Sequence, residues 1–263
     1  MEVVNCALDF EFETPRKLSY SQVATFQRCP MLWYLSAVQK IEIPPSPALQ
    51  FGVKVHEMLA NHFLGKPICL ESSQTDSSGF SSALAFEFLS KVDAELESLG
   101  VDLSKRRWVE EKIDIGDFTG VVDFIGLSQS GQEAIVIDWK TTSVPYDYHQ
   151  ILTSDQLTCY AWLVREGLGI KPRYVCYVTF DKKTRRLNSY IGNRDDEDIS
   201  SYLKKVEAIR KAMTLPIWKN ADSCQGKYGL CDYYKICWRV AIPAAKPCGL
   251  SGLGSVKPFG GKK

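Results

Sequence analysis

The chain predicts an α/β domain built on a mixed central sheet. Three observations lead there: a meander of strand-like runs in the middle, helical patterns on both sides of it, and a second strand pair after a further helix. The meander is "RWVEEKIDI", "FTGVVDFIGLS" and "EAIVIDWKTTS", joined by "GD" and "QSGQ", which suit tight hairpin turns. After it, a helix over about 150–166 leads to "RYVCYVTFDKKTRRLNSYIG", two strands around a basic turn.

The flanking elements follow from local signals. "LSYSQVATFQRCP" is a short helix with Ser19 as N-cap, Gln22 closing a capping box and Pro30 disfavouring continuation. "IPPSPAL" (43–49) is a connector, "QFGVKVHEMLANHFL" a helix, "ESSQTDSSGFSS" a structureless polar stretch, and 83–98 another helix. A charged amphipathic helix covers 195–213, and no internal repeat is visible. The expected organisation is an N-terminal extension (1–17), one domain (18–240) and a mobile Gly/Lys/Pro tail (241–263).

The 263 residues are 45% hydrophobic and 24% charged, enough apolar content for a sizeable core. Net charge is +1, so nucleic-acid binding would need a local basic groove rather than a basic body. No stretch approaches the roughly 18–20 apolar residues of a membrane span. The acidic start "MEVVNCALDFEFETP" has no basic segment followed by an apolar one, so a cytoplasmic location with reduced cysteines is expected.

The chemistry gathers at "IVIDWKTTS". Three apolar residues run directly into Asp138, Trp139 and Lys140, and residues two apart on a strand share a face. A lone D-x-K is most often an ordinary ion pair at a solvated strand end. Here "GVVDF" places Asp123 at a second strand end, with Gly120 permitting close backbone approach. If those strands form a hairpin, the two carboxylates converge and repel unless a divalent cation lies between them. Lys140 then stands beside it, completing the parts for metal-assisted phosphodiester hydrolysis. His56, one of three histidines, falls on the buried face of its helix four residues after Gly52, where a neighbouring segment can pack closely. Alone it reads as a core histidine; beside carboxylates it favours Mn²⁺ over Mg²⁺. Gln156 and Tyr160 share a helix face, a weak pattern by itself.

Of nine cysteines, Cys6, Cys69, Cys159, Cys176 and Cys248 read as small core hydrophobes. Cys224, Cys231 and Cys237 sit in a glycine- and tyrosine-rich loop of the kind a metal orders, and Cys29 is a candidate fourth ligand. Spacing alone does not separate zinc, an iron–sulfur cluster or no metal. Basic runs at 104–107, 181–186 and 210–213, and the aromatics Tyr20, Trp33, Tyr146 and Tyr148, are candidates for gripping phosphates and stacking on bases.

In order, "LSYSQVATFQRCPMLWYL", "GVKVHEML", "GVVDF", "VIDWKT" and "QLTCYAW" resemble the RecB-type branch of the PD-(D/E)xK nucleases over about residues 18–240. The resemblance implies a restriction-endonuclease-like core. It also implies His56, Asp123, Asp138 and the backbone carbonyl of Trp139 as metal ligands, Lys140 as the catalytic lysine, and Gln156 and Tyr160 lining the site. Glu110 or Glu111 would add an acid. The third-strand acid is Asp where many relatives carry Glu. One subgroup, the CRISPR-adaptation exonucleases and AddB-type helicase–nuclease subunits, carries one cysteine before the core and three after it. By that resemblance Cys29, Cys224, Cys231 and Cys237 hold a [4Fe–4S] cluster clamping the two ends together. The six residues between Cys224 and Cys231 depart from the subgroup's close C-x-x-C.

The expected function is therefore a Mn²⁺- or Mg²⁺-dependent deoxyribonuclease acting exonucleolytically on single-stranded or frayed DNA ends. The process would be repair, recombination or CRISPR adaptation, with recombination or CRISPR-integration proteins as partners. The alternative is a non-catalytic DNA-end-binding subunit of such a complex. A purely structural metal protein leaves the Asp–Lys pair unexplained.

Overall fold

The computed structural model describes residues 17–68, 75–226 and 229–240. The expected tail (241–263), nearly all of the expected N-terminal extension, and Cys6, Cys69 and Cys248 lie outside them. Five strands form one sheet in the order β1 (Trp108–Ile115), β2 (Phe118–Leu127), β3 (Glu133–Thr142), β4 (Lys171–Asp181) and β5 (Leu187–Gly192). β3 and β4 are parallel and the other neighbours antiparallel, so the sheet is mixed as expected. The parallel pair needs a crossover, supplied by α5 (Tyr148–Leu152) and α6 (Asp155–Leu168).

Helices cover both faces. On one, α1 (Tyr20–Arg28), α2 (Pro30–Trp33), α6 and α7 (Asp196–Ala212) bury Val23, Phe26, Trp33, Leu157, Leu163 and Tyr202 against Val122, Ile125, Ala134 and Val136. On the other, α3 (Pro47–Phe63) and α4 (Ser82–Ser98) bury Phe51, Val55, Leu59, Phe88 and Val92 against Ile135, Ile137, Trp139 and Phe180. β3 is thus buried on both sides, which is why "IVI" is a continuous apolar run rather than an alternating one.

Several boundaries differ from expectation for local reasons. Ser19 caps α1 by accepting from the Gln22 N–H, but Gln22 does not reciprocate: its Oε1 is buried with no hydrogen-bond partner among the described residues. The Pro-rich connector ends at Ser46, the N-cap of α3, and Pro47 opens the helix, where its missing N–H costs nothing. Asp76 organises part of the polar stretch, accepting from Ser78 and Phe80 and pairing with Lys54. The helix expected over 150–166 is two helices. Ser154 breaks them by turning extended to accept from Leu157 N–H and cap α6.

After α7 comes a small module: a 3₁₀ turn (Ala221–Ser223), the two-residue strands β6 (Gln225–Gly226) and β7 (Gly229–Leu230), and α8 (Tyr234–Val240).

Gly120 lets β2 approach α6. A Cβ there would lie 2.4 Å from Leu163 Cδ1, so the Leu163 side chain would have to move. Gly120→Val adds a branched side chain at that contact. Its expected cost is about 1–3 kcal/mol of unfolding free energy, read by urea denaturation; an unchanged midpoint would show the contact to be slack.

Candidate active site

Phe124 faces Ile137 at the end of the β2–β3 ladder, so Asp123 and Asp138 are the next opposed residues, where the strands part. They are two of the three buried charged side chains among the described residues. β2 does not alternate strictly here. Val122 and Ile125, three apart, enter the same core while Phe124 enters the other, so the strand turns its faces over at Asp123. Opposite, Glu110 of β1 holds a left-handed backbone (φ +50°), a conformation costing a non-glycine residue roughly 1 kcal/mol or more. That twist brings Glu110, not Glu111, to the site.

The peptide of Trp139 ties the centre together. Its N–H donates to Asp123 Oδ2 at 2.9 Å, and its carbonyl lies 3.0 Å from His56 Nε2. The indole points into the opposite core, stacked on Phe63 at 6.1 Å between centroids. The residue between the acid and the lysine therefore anchors the backbone of both.

His56 presents Nδ1 to Asp123 Oδ2 at 3.6 Å and Glu110 Oε1 at 3.7 Å. It is not on the fully buried face as expected. Val53, one turn before it, is 57% exposed, and the imidazole sits at the rim between core and solvent. Nor does Gly52 make a tight contact: a Cβ there would rest 3.5 Å from Thr141 Oγ1, ordinary packing distance.

Lys140 ion-pairs with Asp138, as their shared face requires. Its Nζ also donates to Gln156 Oε1 at 3.0 Å, and Gln156 Nε2 donates to the Tyr160 hydroxyl at 3.1 Å. The helix pair Gln156–Tyr160 is thus connected to the lysine. Tyr177 of β4, unremarked in the sequence, stands beside Asp138 in register, with its ring 5.3 Å from Lys140 Nζ.

The charges suit a divalent cation. Burial, then Asp138, push the Asp123 carboxyl up to about 7, against His56, the Trp139 N–H and Lys140. Burial raises Asp138 as well, against Lys140 and His56. Burial alone would lower His56, but Glu110, Asp123 and Asp138 outweigh it and raise it. His56, Glu110 and Asp123 offer ligand atoms all within 4.8 Å of one another. A nitrogen and several oxygens of this kind suit a divalent metal.

Cys29, Cys224, Cys231 and Cys237 line one small cavity between the α1–α2 junction and the C-terminal module, with Leu32, Leu35 and Tyr233 in its wall. All four are free thiols, and Asn220 N–H points at Cys29 Sγ from 3.4 Å. Burial raises the Cys237 thiol against the nearby Lys219, and Cys29, Cys224 and Cys231 add to the rise. Cys159 and Cys176 are core residues as expected.

The expected DNA-contacting groups divide. Trp33 is buried, so it offers no face for stacking, and Tyr146 packs in a T-shaped contact with Tyr177; Tyr148 is 58% exposed. At 104–107, Lys105 pairs with Asp102, Arg106 covers Trp108 and Arg107 bonds to carbonyls. Arg210 and Lys211 pair with Asp117 and Glu207. The basic turn after β4 is better placed, because Asp181 lies beside Thr142, two residues beyond Lys140.

A five-stranded mixed sheet with clustered carboxylates, a lysine on the same strand and a flanking histidine is the arrangement of a metal-dependent nuclease core. The chain belongs to the PD-(D/E)XK nuclease superfamily, whose family profile matches residues 17–238. Among solved structures, a protein from Eubacterium rectale assigned as an exonuclease is similar over 86% of this chain and 88% of its own, at 14% identity and a TM-score of 0.51. An alkaline exonuclease from Laribacter hongkongensis matches over 76% of this chain and 89% of its own at 14% identity, with a TM-score of 0.34. No curated protein matches. No helix among the described residues is long and apolar enough to cross a membrane.

The sign of the pH dependence follows from Asp123. Its folded pKa of about 7 exceeds the ordinary 3.8, so between those values the fold holds more protons than the unfolded chain. Metal-free stability therefore falls as pH rises through that window. The raised His56 acts in the same direction, since its protonated form is favoured in the fold and is lost with rising pH. A dication reverses the preference, so Mn²⁺ should raise the melting temperature more at about pH 8 than at about pH 5. Equal shifts at both would contradict this account.

Proposed function

We propose that this chain is a Mn²⁺- or Mg²⁺-dependent deoxyribonuclease of the RecB-like branch, acting as an exonuclease on single-stranded or frayed DNA ends. The observation that carries it is the pair of buried carboxylates, Asp123 and Asp138, joined through the Trp139 peptide to His56 and facing Lys140. His56, Asp123 and Glu110, whose ligand atoms already lie together, would hold the ion, with Asp138, once released from Lys140, and the Trp139 carbonyl beside them completing the set. The ion supplies Lewis acidity and a lowered water pKa when bound.

The chain's own groups do the rest. Lys140 brings a fixed positive charge to where negative charge develops on the phosphate, and Gln156, braced by Tyr160, aims it. The Trp139 indole, locked among Phe63, Phe124 and Phe180, keeps the backbone of Asp138 and Lys140 from drifting. The basic turn after β4 is placed to meet the phosphate backbone beyond the site.

We propose that the four cysteines lining one cavity hold a [4Fe–4S] cluster, a clamp between chain segments about 200 residues apart that would lower the entropy cost of folding. We place the protein in the cytoplasm, in DNA repair, recombination or CRISPR adaptation, with proteins of those processes as partners.

The test is degradation of end-labelled single- and double-stranded DNA by anaerobically purified protein with Mn²⁺, Mg²⁺ or EDTA. Metal-dependent release of end nucleotides is expected, with Lys140→Ala reducing it by roughly 100-fold or more. No cleavage by folded, metal-replete protein would overturn the enzyme and favour the DNA-end-binding subunit. Iron and acid-labile sulfide at about four each per chain are expected, and both lost in Cys237→Ser. A colourless protein holding zinc would refute the cluster.

A further inference from the structure

Lys140 is held from three directions. Its ammonium has three N–H donors: one meets Asp138, one meets Gln156 Oε1, and the Tyr177 ring lies at 5.3 Å on a remaining side. That separation is within cation–π range, and the ring is almost fully buried, where the attraction is strongest. Tyr177 is itself fixed. Its hydroxyl is 2.6 Å from Ser154 Oγ, the oxygen that caps α6, and its ring makes a T-shaped contact with Tyr146. The same helix, two residues on, carries Gln156. One serine thus locates both the ring and the amide that hold the lysine.

We infer that Tyr177 is a positioning residue for Lys140, with its ring face holding the ammonium in place while Asp138 turns from the lysine to another partner. Two of the lysine's three supports change when a substrate phosphate and a cation arrive, because Asp138 and Gln156 both carry oxygens that other groups compete for. The ring face has no such competitor. It keeps the ammonium over the strand instead of letting a four-carbon side chain swing into solvent.

The kinetic arm of this inference rests on the nuclease reading; the spectroscopic arm does not. In the full-length, metal-free protein labelled with ¹³C-lysine, the Lys140 ε-methylene protons, assigned by loss of their signal in Lys140→Arg, are expected upfield by the ring current of Tyr177. The shift should persist in Tyr177→Phe and vanish in Tyr177→Leu. Absence of the shift in the unsubstituted protein overturns the inference whether or not the protein cleaves DNA. In cleavage assays Tyr177→Leu should lose roughly 10-fold in kcat with KM unchanged, while Tyr177→Phe stays within about 2-fold. A loss confined to KM, or equal losses in both variants, would overturn it. Ring-fluorinated phenylalanines at position 177 keep the shape and weaken the π face, so they guard against a Leu variant that fails to fold. The inference expects kcat to fall stepwise with fluorination at constant melting temperature, and a flat series would overturn it.

Discussion

Asp123 and Asp138 lie opposite one another because Phe124 and Ile137 are paired one step earlier, and the rest of the site answers the electrostatic problem this register creates. Two carboxylates out of water repel each other and each loses hydration. The fold gives Asp123 one backbone N–H, gives Asp138 one ammonium, and sets an imidazole between Asp123 and Glu110. Against these contacts, burial and then Asp138 still push the Asp123 carboxyl up to about 7. A site kept for stability alone would be better served by apolar residues of similar volume. A divalent cation turns the same arrangement from a penalty into an affinity.

The two helical layers deliver different parts of the chemistry to one strand. α3 brings His56 from the face that buries Trp139, and α6 brings Gln156 and Tyr160 from the face that carries Asp138 and Lys140. β3, buried on both sides, is stiff enough to be read from both faces at once. Its acid and lysine project one way and the intervening Trp139 projects the other. The Trp139 peptide, with N–H toward Asp123 and carbonyl toward His56, therefore couples the layers within a single residue.

Much of this was legible in the sequence. The strands of the meander appear as apolar runs punctuated by Gly–Asp and Gln–Ser–Gly–Gln. The D-x-K pattern stands out because a charge pair at the end of a buried run demands a reason. Spacing along a helix also found Gln156 and Tyr160. What stayed hidden depended on contacts between distant segments. The choice of Glu110 over Glu111 rests on a left-handed backbone where β2 and β1 both turn over, and strand alternation contains no sign of it. Tyr177 is one aromatic in "RYVCYVTF" until parallel pairing sets it beside Asp138. The position of His56 at the rim follows from how α3 rolls on the sheet, which helical periodicity fixes only to within a face. Trp33 looked available for stacking, yet it fills the core beside Phe26. The loop around Cys224, Cys231 and Cys237 marked that trio and left Cys29 a candidate; family resemblance joined the four, since a separation of about 200 residues offers no local signal.

The central claim is that the buried acids exist to hold a divalent ion at the Trp139 peptide. Anomalous scattering from a crystal of the full chain soaked in Mn²⁺ tests it most directly. The account predicts a peak bounded by Asp123, Asp138, His56 and the Trp139 carbonyl, lost in Asp123→Asn. Crystals that take up Mn²⁺ only elsewhere, with the Asp138–Lys140 pair undisturbed, would contradict it.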